Sequence, residues 1–96
     1  MEVTIPKTFQ LLGREYKVKQ ENRVTVDGES VCGYCMSTDG IIKIRKNLKK
    51  DLKEHTFLHE ITHAILDSLG HTELSANEGF VDSFSGALYQ VLKTAK

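Results

Sequence analysis

Apolar residues in the first half of the chain alternate with polar ones over short stretches, the period-2 pattern of half-buried β-strands. Lys7 to Leu12 is one such stretch, and after Gly13 a second runs from Arg14 to Gln20, with Tyr16 and Val18 set against Lys17 and Lys19. This spacing predicts a hairpin. Arg23 to Val26 stops at Asp27-Gly28, a dipeptide suited to two-residue turns. Gly33 to Ser37 leads through Thr38-Asp39-Gly40 into Ile41-Ile42-Lys43-Ile44-Arg45. The pattern predicts about three to five antiparallel strands over roughly residues 7–46.

Beyond Arg45 the period changes. Leu58, Ile61, Ile65 and Leu69 fall three or four residues apart, and Gly70 stands where a helix end favours a left-handed residue, which predicts a helix over about residues 49–69. Ser75, followed three positions later by Glu78, has the form of a capping box. Phe80, Phe84, Ala87, Leu88 and Val91 then keep helical spacing and predict a second helix over about residues 75–93. The expected architecture is α+β, an N-terminal antiparallel sheet packed against two C-terminal helices in a single domain spanning residues 1–96.

Composition bounds this picture. Leu, Ile, Val and Phe make up 27 of the 96 residues and the net charge is zero, so the chain carries enough apolar material to fold. No apolar run exceeds three residues (Ala64-Ile65-Leu66), whereas a membrane-spanning helix needs about 20. The first residues show neither a basic leader nor an apolar stretch, and the two cysteines are too few for a disulfide scaffold. A cytoplasmic location is expected. Neutrality also hides a segregation of charge: Lys43 to Lys53 holds six cations and one acid, while Glu54 to Leu92 holds six acids and no Lys or Arg. The histidines fall in or at the start of that acidic segment, a composition suited to a divalent cation.

The first predicted helix contains His59-Glu60-Ile61-Thr62-His63, an H-E-x-x-H pattern. Histidines four apart lie on one helix face about 6 Å apart along the axis, so both imidazoles can reach one ion. Glu60 is turned roughly 100° from His59, poorly placed as a ligand but within reach of a water on the metal. The apolar neighbours Phe57, Leu58, Ala64 and Ile65 give this helix a buried face. A catalytic zinc site wants three protein ligands and an open position. With a short interhelical loop, a carboxylate in the first turn of the second helix points back at the first helix, and Glu78 fits that place. Asp82, one turn on, can accept the remaining N–H of a ligand histidine.

His59-Glu60-Ile61-Thr62-His63-Ala64, followed by Asn77-Glu78-Gly79-Phe80-Val81-Asp82-Ser83-Phe84, resembles the thermolysin-like gluzincin metallopeptidases, whose patterns are H-E-[LI]-T-H-A and N-E-x-x-S-D-x-F-G. The likeness covers essentially the two helices, about a third of the chain. It implies one zinc ion per chain held by His59, His63 and Glu78, with Glu60 as general base and acid and with Asp82 as a partner of His59. Asn77 is placed with Asp82 outside the ligand set. It further implies a peptide or protein substrate lying extended along a sheet edge formed by Gly33 to Arg45. Only 14 residues separate His63 from Glu78, and the helical domain that follows in full-length gluzincins, with its oxyanion-stabilising residue, has no counterpart here. The chain is closer to minimal single-domain gluzincins and to the small H-E-x-x-H proteins of phage genomes.

Other features have plainer readings beside functional ones. His71, between the helices, is a candidate donor to a developing oxyanion or a solvated loop residue; Tyr34 and Tyr89 are weaker candidates for that role. His55, one turn before His59, either lines the cleft or meets solvent. Cys32 and Cys35 form one C-x-x-C without a second and read as ordinary thiols on a strand. The basic stretch from Lys43 reads first as the solvated side of a half-buried strand, with nucleic-acid binding the lesser reading. The expected activity is zinc-dependent peptide hydrolysis. Against it stand a non-catalytic, zinc-stabilised binding module and, less favoured, a nucleic-acid-binding accessory protein.

Overall fold

The computed structural model of the protein describes residues 3–96. Strands β1 (Thr8–Leu11) and β2 (Arg14–Glu21) form the first hairpin, with Thr8 opposite Lys17 and Leu11 opposite Arg14. Strands β3 (Thr25–Val26) and β4 (Glu29–Ser30) form a small separate hairpin about Asp27-Gly28. Both turn residues have positive φ, 52° and 82°, as a turn matched to the twist of its strands requires. Strands β5 (Gly33–Met36) and β6 (Ile41–Arg45) pair antiparallel, and the chain continues into helices α1 (Lys50–Ser68), α2 (Thr72–Ser75) and α3 (Glu78–Thr94).

The class is α+β, with the sheet N-terminal and the helices C-terminal. The sheet, however, is mixed rather than antiparallel. Its order is β1-β2-β6-β5, and β6 runs parallel to β2 with Val18 opposite Ile42 and Gln20 opposite Ile44. Burial accounts for the insertion of β6: Ile42 and Ile44 are both 0% exposed, so the most apolar strand sits where it has a neighbour on each side. A parallel neighbour needs a long crossover, which residues 22–40 supply with the β3–β4 hairpin and β5 inside it. The sheet edge expected along Gly33 to Arg45 is therefore β5 alone.

Tyr16, Val18, Ile42 and Ile44 meet Phe57, Leu58 and Ala64 of α1 in one core, and Phe9 stacks on Tyr16 at 5.1 Å between ring centres. Lys43 and Arg45 alternate with the buried isoleucines, and Lys43 reaches Glu21 at 3.5 Å, so the basic strand has the solvated side that its alternation predicts. A polar clamp ties α1 to α3. Glu54, 3% exposed, accepts a hydrogen bond from the Tyr89 hydroxyl at 2.8 Å and lies 3.3 Å from the Lys93 amine. The Tyr89 hydrogen bond, with help from Lys93, holds the Glu54 carboxyl below its ordinary value despite burial.

The second helix starts later than residue 75. Ser75 ends the one-turn helix α2, and Asn77 caps α3 instead, its Oδ1 accepting from the Phe80 amide at 3.0 Å. The Ser75–Glu78 capping box does not form, because the Ser75 hydroxyl is committed to His63.

Truncating the centre of the core should be costly in a domain this small. Ile42→Ala is expected to lower unfolding free energy by about 2–5 kcal/mol. Urea denaturation would show it as a lower midpoint with an unchanged slope.

Candidate metal centre

Helix α1 is packed on one side against the sheet and on another against α3, and His59 and His63 emerge between these two contacts. Their ring centres are 5.1 Å apart. Because Asn77 stops the chain at the right point, Glu78 is the first residue of α3 and its carboxylate faces back toward α1. Nε2 of His59 is 3.2 Å from Glu78 Oε2, and Nε2 of His63 is 3.1 Å from Glu78 Oε1. One ligand atom from each of the three residues falls within 4.8 Å of the others. Donors about 2 Å from a tetrahedral ion stand about 3.3 Å apart, so this His, His, carboxylate set fits a single metal ion with little movement. The Glu78 side chain is 68% exposed, which leaves the solvent side open for a further ligand.

A second layer of contacts orients the rings. Asp82 Oδ1 lies 3.5 Å from His59 Nδ1, the histidine that the family resemblance implies as its partner. His63 Nδ1 is 3.0 Å from the Ser75 hydroxyl, and Ser75 is buried. Each histidine thus turns Nε2 toward the centre while Nδ1 meets a polar partner behind it, the arrangement that orients the rings in metal sites. Ser75 was hidden in the sequence by its fit to a capping box. Asn77 touches neither histidine and acts by setting where α3, and so Glu78, begins.

Glu60 sits beside this set, 7% exposed. Burial, reinforced by the Glu78 carboxylate, pushes its pKa up to about 8. A cation held by the three ligands would act in the opposite direction. The room for Glu60 comes from Gly33 on the edge strand. A Cβ at that position would lie 2.7 Å from Thr56 Cγ2 and 3.3 Å from Glu60 Cγ, so only glycine lets β5 come this close to α1. Two hollows, of about 290 and 320 Å³, share Gly33, His59 and Glu60 as lining and lie on either side of them. Together they form a groove between β5 and the metal ligands.

His55 lines the smaller hollow, its ring stacked on Tyr89 and its Nε2 3.4 Å from the Ser85 hydroxyl. His71 is exposed and lines neither hollow; its backbone, not its side chain, is used, at the junction of α1 and α2. Tyr34 borders the larger hollow, whereas Tyr89 is spent on Glu54. Cys32 and Cys35 are free thiols, and burial pushes the Cys35 thiol up to about 11, far from the range of a reactive thiolate. No helix among the described residues is long and apolar enough to cross a membrane.

Comparison of the chain with protein-family models, with curated proteins and with solved structures finds no match. The site's own geometry is what bears on function.

Ser75→Ala should weaken metal affinity by about 10–100-fold, as loss of an outer hydrogen-bond partner does elsewhere. Isothermal titration with zinc checks it, and unchanged affinity would remove Ser75 from the site. A pH dependence follows from Glu60. In metal-free protein the folded state keeps its proton up to about pH 8, while the unfolded chain releases it near the ordinary value of 4.5. Between those limits the folded state binds the extra proton, so this group's contribution to stability falls as pH rises through the window and is flat below it. Chelator-treated wild type is expected to lose stability across the window more steeply than Glu60→Gln in urea denaturation. Equal slopes would show that Glu60 is not held protonated.

Proposed function

We propose that the protein is a zinc-dependent peptidase of the minimal gluzincin kind. The observation that carries this reading is the convergence of His59, His63 and Glu78 with the Glu60 carboxylate beside them, in a groove that runs along a sheet edge. Two imidazoles and one carboxylate suit zinc, and three protein ligands with an open side are what a catalytic rather than a structural site retains. One zinc ion per chain is the proposed cofactor.

The edge strand suits an extended peptide. The Arg45 amide donates to the Cys32 carbonyl at 2.8 Å, so Tyr34 is the next residue of β5 turned toward β6. By alternation Gly33 and Cys35 present their amides and carbonyls outward, where a peptide can add as a further strand with its backbone passing the metal ligands. Zinc, when bound, acidifies a water and polarises the carbonyl it faces. Glu60 accepts the proton of the attacking water and delivers it to the leaving amine nitrogen. Gly33 keeps this carboxylate against the substrate strand. Asp82 and Ser75 hold the two imidazoles in place throughout.

A second reading, a zinc-stabilised binding module without turnover, is favoured by one observation: the loop histidine proposed to steady the oxyanion lies outside the groove. The nucleic-acid reading draws less support, since Lys43, Arg45 and Lys53 are engaged with Glu21, Ser30 and Gln20.

Glu60→Gln separates the first two readings. It is expected to retain one zinc by native mass spectrometry while peptide cleavage falls by at least about 100-fold, whereas Glu78→Ala should lose or weaken the zinc itself. Zinc retention by wild type with no cleavage of any peptide in a mixed library would leave the binding module.

A further inference from the structure

The larger hollow beside the metal ligands has a built end that the chemistry at Glu60 does not use. Its walls include Val26 and Val31 from the β3–β4 hairpin region and Tyr34 and Cys35 from the edge strand, and Asp67 also lines it. Asp67 follows His63 by four residues, so it continues the row of His59 and His63 along the same face of α1. Its carboxylate is half-buried and held in place by the Ser37 hydroxyl, which donates to Oδ2 at 2.6 Å. Among the described residues it forms no ion pair with any Lys or Arg. Arg14 lines a neighbouring hollow together with Asp67, but its guanidinium is engaged with the carbonyl oxygens of Ser37 and Thr38. No Lys or Arg lines either hollow of the groove.

Largely apolar walls beside a fixed carboxylate that has no ion-pair partner match one kind of side chain, a long apolar stem with a cationic head. We propose that this hollow selects Lys or Arg in the peptide, at a fixed position beside the bond to be cut, with Asp67 as the specificity-determining residue. The inference rests on the peptidase reading for its setting, and it assigns a substrate class to that site, cationic peptides. A neutral residue such as Leu fills the same walls but leaves Asp67 without a partner.

The test uses zinc-loaded full-length protein and two readouts. In the first, a peptide library is digested and the cut sites are read by mass spectrometry. Lys and Arg should be favoured over Leu at one position by at least about tenfold in wild type. In Asp67→Asn, which keeps an acceptor for Ser37, that ratio should fall to within about twofold, and in Asp67→Lys the preference should pass to Asp and Glu. Cleavage with no preference for Lys or Arg, or a preference untouched by both substitutions, overturns the proposal and leaves the peptidase reading standing. In the second, fluorescence anisotropy measures binding of two labelled peptides that differ only by Lys against Leu. Should wild type cut nothing, the peptidase reading fails and this readout decides alone. Tighter binding of the Lys peptide, lost in Asp67→Asn, supports the selective hollow, and equal binding of the two peptides overturns it.

Discussion

Helix α1 is gripped from two directions, and the site exists because the grips differ in kind. Toward the sheet the contact is apolar, Phe57 and Ala64 against Tyr16, Ile42 and Ile44. Toward α3 it is anchored by polar links, Glu54 to Tyr89 and Lys93 at one end and the histidines to Glu78 and Asp82 at the other. The first grip fixes the rotation of the helix, since a turn about its axis would lift Phe57 and Ala64 out of the core. With rotation fixed, His59, His63 and Asp67 must emerge along the open seam, and Glu60 must point under the edge strand. Gly33 completes the constraint from the other side, because any larger residue would push β5 away from Thr56 and Glu60.

Such an arrangement costs stability locally. Glu60 is buried beside a second carboxylate with no cation among the described residues near enough to compensate it, and its raised pKa reflects that burial first and the neighbouring charge second. A chain of this size has a modest core to set against it. A metal bound only by the folded state would return stability in proportion to its affinity and concentration, and would relieve the repulsion between the two carboxylates. The local violation of good packing rules at Glu60 is what would make a bound ion useful to the fold.

Much of this was legible in the sequence, for reasons that can be named. The period change after Arg45 locates the boundary between sheet and helices, and a four-residue histidine spacing on an amphipathic helix leaves only one face for both rings. Glu78 follows from its place in the first turn of the next helix, and Asp82 from lying one turn further on. What was not legible depends on burial or on competition for one group. The parallel pairing of β2 with β6 comes from Ile42 and Ile44 needing neighbours on both sides, a tertiary demand with no local signal. Ser75 fits two motifs equally well as a string of letters, and only the position of His63 decides between them. Asp67 carries no local signal, because the walls beside it come from residues much earlier in the chain, Val26 and Val31.

The segregation of charge along the chain becomes a segregation in space. Lys43 and Arg45 lie on the side of β6 away from the helices, because the isoleucines between them are the residues that α1 covers. Four of the six acids between Glu54 and Leu92, namely Glu60, Asp67, Glu78 and Asp82, gather on the groove. The neutral sum therefore conceals a molecule with a cationic sheet face and an anionic cleft. A doubly charged ion held by the proposed ligands would balance two of these four carboxylates and leave the groove with net negative charge, Asp67 standing one helical turn beyond His63. A field of that sign draws in cationic chains and turns away acidic ones before any contact is made. Under the proposed function, the uneven spacing of Lys, Arg and acids between Lys43 and Leu92 would bear on which peptide reaches the edge strand, as well as on which ion the histidines hold.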